Sequence, residues 1–143
     1  MNGRVIIYVS FSFSQNKTRI AMVTEYDKYN TEKKWIEFNN KSFNIKKSID
    51  AGYLAIFYAY YDIIIKKGIK NYSILTSVQS IKIDNIKVNW VPKETNKSYE
   101  ILEYQEWFYE SDRLEKEEIN IMKYIFKTLK LNNKERRNNE RKK

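Results

Sequence analysis

The chain has no cysteine and no histidine, and only three glycines and one proline among its 143 residues. Without cysteine, disulfides and thiolate metal sites are excluded, and the redox compartment cannot be inferred. Without histidine, the commonest general base and the commonest zinc ligand are missing. Three glycines do not supply a glycine-rich loop for phosphate binding. These absences remove most familiar catalytic constellations.

Long apolar runs are absent too. The N-terminus enters a short apolar segment at Val5 without the longer apolar core of a signal peptide. The longest apolar stretch, residues 53–65, is interrupted by Asp62 and is too short to span a bilayer. Hydrophobic content of 42% still indicates a globular body. We expect one cytoplasmic domain over residues 1–131, without a membrane partner, and a basic, disordered tail over residues 132–143.

Acidic charge is in short supply. The net charge is +9, from 27 Lys and Arg against 18 Asp and Glu, and residues 132–143 alone contribute +4. A basic protein is attracted to polyanions, above all to nucleic acid. The alternative is compositional: Lys outnumbers Arg 21 to 6 and Ile, Asn and Tyr are abundant, as AT-rich coding DNA would produce for any function. Both explanations remain open at this point.

The apolar pattern predicts strands and helices in the order βββαββα. Alternation predicts three strands over residues 5–13, 18–25 and 34–39, joined by short links as an antiparallel meander. Helical spacing predicts a helix over residues 48–67, with Ser48 as N-cap and Gly68 after its last turn. Further strands are expected over 71–80 and 86–91, and helices over 100–109 and 112–131.

Several segments, in this order, resemble the ribonuclease H family. Residues 7–12 (Ile-Tyr-Val-Ser-Phe-Ser), 51–59 and 74–80 resemble its first strand, first long helix and fourth strand. Residues 90–92 (Trp-Val-Pro) resemble the end of its fifth strand, and Asn96 with Glu100 resembles the Asn-x-x-x-Asp that opens its last helix. The resemblance implies an α/β fold of the mixed α+β kind. Its five-stranded mixed sheet would have the order 3-2-1-4-5, with a crossover helix and long C-terminal helices.

The resemblance also shows what is missing. The family's metal-binding acids fall on Ser10, Gly52 and Ser77, and only Glu100 keeps a carboxylate. One carboxylate cannot hold the divalent ions that such hydrolysis needs. The family's helices between the fourth and fifth strands are absent, since only residues 81–85 separate those strands. We expect no metal, no cofactor and no catalysis.

The preferred hypothesis is a catalytically inactive ribonuclease H-like domain that binds RNA or an RNA–DNA duplex. The predicted phosphate contacts are Lys93, Lys97, Lys134, Arg136, Arg137, Arg141, Lys142 and Lys143. One alternative is a protein-interaction or oligomerisation subunit of a phage or mobile-element complex, a homodimer through the C-terminal helices included. Its anchors would be Trp107, Phe108 and Tyr109, which cannot all be buried on one helix face. A second alternative is an active metal-dependent nuclease with relocated acids.

Overall fold

The computed structural model describes residues 3–79, 81, 83 and 85–141; for residues 105–108 and 129–141 it describes the backbone alone. The fold is mixed α/β. Its strands and helices are β1 (Val5–Phe13), β2 (Lys17–Glu25), β3 (Thr31–Asn39), α1 (Ser48–Tyr60), β4 (Tyr72–Thr76), β5 (Val88–Trp90), α2 (Tyr99–Phe108), β6 (Glu110–Ser111) and α3 (Lys116–Arg141). A π-helical turn (Tyr61–Lys66) continues α1, and a 3-10 turn (Lys93–Thr95) precedes α2.

The described strands form one sheet in the order β5-β4-β1-β2-β3-β6. β1 pairs antiparallel with β2 and parallel with β4, as the meander and the crossover helix predicted. The predicted five-stranded sheet of order 3-2-1-4-5 is nevertheless wrong, because β6 adds in parallel outside β3. Its two residues are too few to show a periodic pattern in the sequence. The backbone N–H of Asp112 and the indole of Trp35 secure this segment, donating to Trp35 O (2.6 Å) and Tyr109 O (3.1 Å).

Alternating side chains give the sheet two covered faces. On one face, Val9, Ile20 and Met22 pack beneath α1. On the other, a smaller cluster of Ala21, Val23 and Ile101 forms beneath α2. The larger face continues outward to α3, whose Phe126 ring lies 5.4 Å from that of Phe57 on α1. Every residue of α1 from Ala51 to Ala59 is therefore buried, between the sheet and α3.

The predicted helix over residues 48–67 is interrupted. Regular α-helix ends at Tyr60, and the chain continues as the π-helical turn. Lys47, not Ser48, is the N-cap, and no side-chain cap hydrogen bond is present there. Gly68 does end the helix as predicted: its φ of 68° is left-handed, and its N–H donates to Ile64 O at 3.0 Å. The π turn buries three successive side chains, those of Tyr61, Asp62 and Ile63.

The last helix differs from the prediction at both ends. It begins at Lys116 instead of residue 112 and continues to Arg141. The backbone of residues 132–141, assigned from the sequence to a disordered tail, is helical, and residues 142–143 lie outside the described part of the chain. This segment has no glycine or proline, and its Lys, Arg and Glu residues favour helix. Although α3 is 26 residues long, none of the described helices is long and apolar enough to cross a membrane.

Candidate functional site

Two of the positions that align with the family's acids meet in a buried hydrogen-bond network. The hydroxyl oxygens of Ser10, on β1, and Ser98, just before α2, lie 2.7 Å apart. The amide nitrogen of Asn96 donates to Ser77 Oγ, after β4, at 3.2 Å. Asn96 and Ser98 thereby connect Ser10 with Ser77. The network joins the ends of two adjacent parallel strands to the start of α2.

Asn96 is the centre of this network. Its Nδ2 also donates to the Val9 carbonyl at 3.1 Å, and its Oδ1 accepts from the backbone N–H and the hydroxyl of Ser98 at 3.1 and 2.6 Å. Both amide protons and both amide oxygen lone pairs are thus used. Ser98 has a single hydroxyl proton, which is directed to Asn96, so the hydroxyl of Ser10 donates to Ser98.

The network is neutral and closed to solvent. Ser10 and Asn96 are each 4% exposed, and Ser98 is 0% exposed. A divalent cation needs several anionic oxygens to leave water, and two serines, one amide and a carbonyl do not supply them. Among the residues that the structure describes, no group of three or more His, Cys, Asp or Glu could hold a metal ion. The chemistry of these groups is that of a structural crosslink.

Gly52, the third position, does not join the network. A Cβ on Gly52 would lie 3.0 Å from Cδ1 of Ile81 and 3.3 Å from Cε1 of Phe11. Phe11 follows Ser10 along β1, so their side chains point to opposite faces of the sheet. Gly52 therefore packs on the α1 side, whereas Ser10 binds on the α2 side. The sequence alignment places the three positions together, but the structure brings only Ser10 and Ser77 into one network.

Restoring the family's acid at this position should destabilise the fold. Gly52→Glu would force a longer, charged side chain against Ile81 and Phe11 in a buried place. We expect the free energy of unfolding to fall by about 3 kcal/mol or more. Gly52→Ala is the matched control, because the methyl contacts only the mobile ends of two side chains and improves helix propensity. Urea unfolding of both variants checks this, and equal stability of Gly52→Glu and wild type would contradict the packing argument.

Glu100, the remaining acid of the resemblance, lies in a different place. It lines a groove of 560 Å³ between α2 and the β2–β3 hairpin, together with Lys93 and Lys97. The described lining contains four glutamates against three lysines, so the groove is nearly balanced in charge. Lys97 is already paired with Glu25, at 2.5 Å. The groove offers two of the predicted phosphate contacts but no concentrated positive charge.

The other predicted contacts lie along the C-terminal helices. Lys134, Arg136, Arg137 and Arg141 belong to α3, but their side chains are outside the described part of the chain, as are residues 142–143 altogether. The side chains of Trp107 and Phe108 are outside it as well. Tyr109 is half-buried and packs with Trp35 and Leu102 in the smaller core cluster. Tyr109 is therefore engaged within the fold, and the hypothesis of a free aromatic anchor stays open for Trp107 and Phe108.

A buried ionic cluster was not predicted from the sequence. Its centre is Asp62 in the π turn, whose carboxylate is 2% exposed and binds Lys34 Nζ at 2.9 Å and Lys67 Nζ at 3.0 Å. Lys34 also lies 3.4 Å from Asp112, and Lys67 lies 2.9 Å from Glu32. These five residues are called the Asp62 cluster below. The only signal in the sequence is that Asp62 interrupts an apolar stretch.

Mutual attraction keeps the cluster ionised. Burial alone would lower the pKa of Lys34 and Lys67, but the carboxylate of Asp62 outweighs it, and both pKa values lie above the usual lysine value. Burial alone would raise the pKa of Glu32, but the hydrogen bond from Lys67 and the charge of Lys34 hold that pKa below its usual value. Burial and the neighbouring Asp112, to which the Tyr58 hydroxyl donates, raise the pKa of Tyr58. The carboxylates here are occupied by the protein's own ammonium groups.

The π turn also binds the beginning of α3. Glu118, in the first turn of α3, accepts from the Tyr61 hydroxyl at 3.1 Å and lies 3.3 Å from Lys66 Nζ. Asp112, just before α3, is held by Lys34. The Asp62 cluster and these two contacts therefore attach the long helix to the sheet. Their arrangement supports a mechanical role and provides no open site for chemistry.

The resemblance to ribonuclease H thus rests on the order of short segments, while the positions of its acids carry neutral or apolar contacts. Glu100 stands apart from Ser10 and Ser77, in a groove of mixed charge. The sequence matches no model of a known protein family, and no curated protein is significantly similar to it.

Proposed function

We propose that the chain is a catalytically inactive, ribonuclease H-like domain that binds an RNA or RNA–DNA duplex through its phosphates. The observation that carries the binding proposal is the continuous α3 helix, which joins the core to the most basic segment of the chain. Parallel pairing of β1 with β4 across the α1 crossover is consistent with a ribonuclease H-like arrangement. The order of the resembling segments supports the same arrangement.

The absence of catalysis is inferred from the neutral network. Hydrolysis by two metal ions needs carboxylates that converge on both cations. Ser10 and Ser77 contribute hydroxyls that are bound to Ser98 and Asn96, and Gly52 faces apolar groups. Glu100 alone does not complete such a site.

The charge distribution supports binding by the C-terminal half of α3. Residues 127–143 carry eight basic and two acidic side chains, a net +6 out of the total +9. Met122 and Phe126 fix the first half of α3 in the core. From Phe126 to Arg141 the helix extends about 22 Å further at its regular rise per residue. Lys and Arg side chains on such a rod can neutralise successive phosphates, releasing condensed counterions.

Removing the basic segment tests the proposal. We expect the full chain to shift a duplex RNA and an RNA–DNA hybrid at low salt, and residues 1–131 to bind both roughly 10- to 100-fold more weakly with a shallower salt slope. Residues 132–143 include six basic side chains and no apolar one, so the truncated chain should still fold. The measurement is fluorescence anisotropy over a salt series, with circular dichroism as the folding check.

A matched pair of variants separates position from total charge. Lys134, Arg136, Arg137 and Arg141 changed to Gln remove four charges from α3; Lys41, Lys46, Lys47 and Lys70 changed to Gln remove four exposed charges from the body. We expect the first set alone to weaken binding strongly. Equal effects of the two sets, or no duplex binding at low salt, would mean that the charge is compositional. Magnesium-dependent cleavage of the hybrid that is lost in Glu100→Gln would contradict the inactive assignment.

A further inference from the structure

A second groove lies along the outer edge of β3, beside the first turns of α3. It has a volume of 500 Å³. Its floor is formed by aliphatic and aromatic side chains of the sheet edge, the following loop and the start of α3: Ile36, Phe38, Phe43, Leu114 and Ile119. We call it the β3 edge groove. It lies apart from the Ser10 network and from the basic end of α3.

The backbone of β3 is open next to this groove. Trp35 directs its carbonyl outward, where it accepts from the Asp112 N–H at 2.6 Å, whereas Asn40 directs its N–H toward the opposite side, to Asn16 O at 2.9 Å. Successive residues of a strand alternate in this direction, so the N–H and C=O of Glu37 point outward like those of Trp35. β6 pairs with Lys34 and Trp35 and does not extend to Glu37. Within the described chain, no other strand covers this position.

The free charge at the groove is positive. The carboxylate of Glu37 is already bound by Arg19 at 2.9 Å and by Lys17 at 3.3 Å. Asp112 is likewise bound, by Lys34 and Tyr58. Arg113 and Lys123 also line the groove, and neither has a carboxylate partner among the described residues. An acidic group on an occupant would complement them.

We propose that the β3 edge groove binds an extended peptide, which adds to β3 as a further strand. One aliphatic side chain of the peptide occupies the apolar floor, and an acidic residue lies beside Arg113 and Lys123. Main-chain hydrogen bonds to Glu37 supply the pairing, in the manner of peptide addition at exposed sheet edges. β6 shows that the same edge accepts a parallel strand. A nucleic acid has no backbone amides to match this edge, so the occupant is a protein segment.

The probe is the peptide acetyl-Glu-Val-Thr-Val-Thr-Val-Glu-amide, titrated into the isotope-labelled full chain. We expect the amide resonance of Glu37 to shift and its hydrogen exchange to slow. A copy with its central valine N-methylated and a copy with lysine in place of both glutamates should each bind at least about tenfold more weakly. Shifts confined to the β5 edge, or equal affinity of the three peptides, would overturn the proposal.

Two variants of one position provide the matched control. Glu37→Pro removes the outward N–H but leaves the β2 side of the strand intact, since proline is tolerated at a sheet edge. Glu37→Thr keeps the N–H and loses the same ion pairs with Lys17 and Arg19. We expect peptide binding to fall at least about tenfold in Glu37→Pro and to persist in Glu37→Thr.

Other occupants give distinct results. A wild-type dimer that dissociates in Glu37→Pro would identify a second copy as the occupant and overturn the peptide proposal. Displacement of the peptide by duplex RNA, with RNA binding lost in Glu37→Pro, would do the same. If Glu37→Pro does not fold, the N-methylated peptide alone decides the question, because it lacks the same hydrogen bond on the other strand.

Discussion

Asn96→Ala should lower the free energy of unfolding by about 4 kcal/mol, because several buried polar groups would lose their partner at once. The change leaves the Val9 carbonyl and the Ser98 N–H without the contacts that the amide now supplies. It also removes the acceptor of the Ser98 hydroxyl and the donor to Ser77. Urea unfolding followed by circular dichroism, with the slope compared between variants, measures the effect.

Ser77→Ala is the control for this prediction. Ser77 is only half-buried and contributes one acceptor to the network, so we expect a loss of about 1 kcal/mol or less. Asn96→Asp keeps the size of the side chain but removes both donors, and should be nearly as destabilising as Asn96→Ala. A cost for Asn96→Ala no larger than that for Ser77→Ala would show that water replaces the amide and that the network is not a crosslink.

Asp62→Ala should cost about 3–4 kcal/mol, since breaking a buried ion pair leaves the partner charges uncompensated. Lys34 and Lys67 both lose their nearest carboxylate, and the attachment of α3 through Asp112 is weakened. Hydrogen exchange should therefore increase in α3 before it increases in β1 and β2. The matched control is Glu25→Ala, which breaks the exposed pair with Lys97 and should cost less than about 1 kcal/mol.

The same cluster sets a pH window. The pKa of Glu32 is lowered by folding, so its contribution is present above the unfolded value of 4.5 and is lost as the pH falls. The pKa values of Lys34 and Lys67 are raised, so their contribution is present below the unfolded value of 10.5 and is lost as the pH rises through the folded values. We expect the stability difference between wild type and Asp62→Ala to be level between these limits and to shrink outside them. A difference that is independent of pH would assign the cost of Asp62→Ala to packing alone.

The regular part of the fold could be predicted from the sequence because its signals are local. Alternation from Val5 to Phe13 gives the bounds of β1 correctly, and Gly68 marks the end of the helical segment. β6 has two residues and carries no periodicity. The π turn escapes prediction for a related reason: its apolar residues fit a regular helix equally well, and only the tertiary contacts of Asp62 distinguish the two.

The candidate site was harder to predict because its partners are distant in the chain. Ser10 and Ser98 are separated by 88 positions, and Lys34 and Asp62 by 28. The sequence singled out Ser10 and Ser77 through a resemblance, but nothing in it indicated that Asn96 would satisfy both strands. Small polar residues have no strong periodic signature, so only the packed structure reveals which of them meet.

The π turn has a consequence for how the chain can vary. A π turn is an α-helix with one extra residue, and that residue lets Tyr61, Asp62 and Ile63 all face inward in succession. A deletion within Tyr61–Lys66 would restore the regular helix and rotate everything after it by about 100°. Lys66 and Lys67 would then turn away from Glu118 and Glu32. Homologues that lack the lysine partners have no such reason to keep the insertion, and an alignment should place a one-residue gap here.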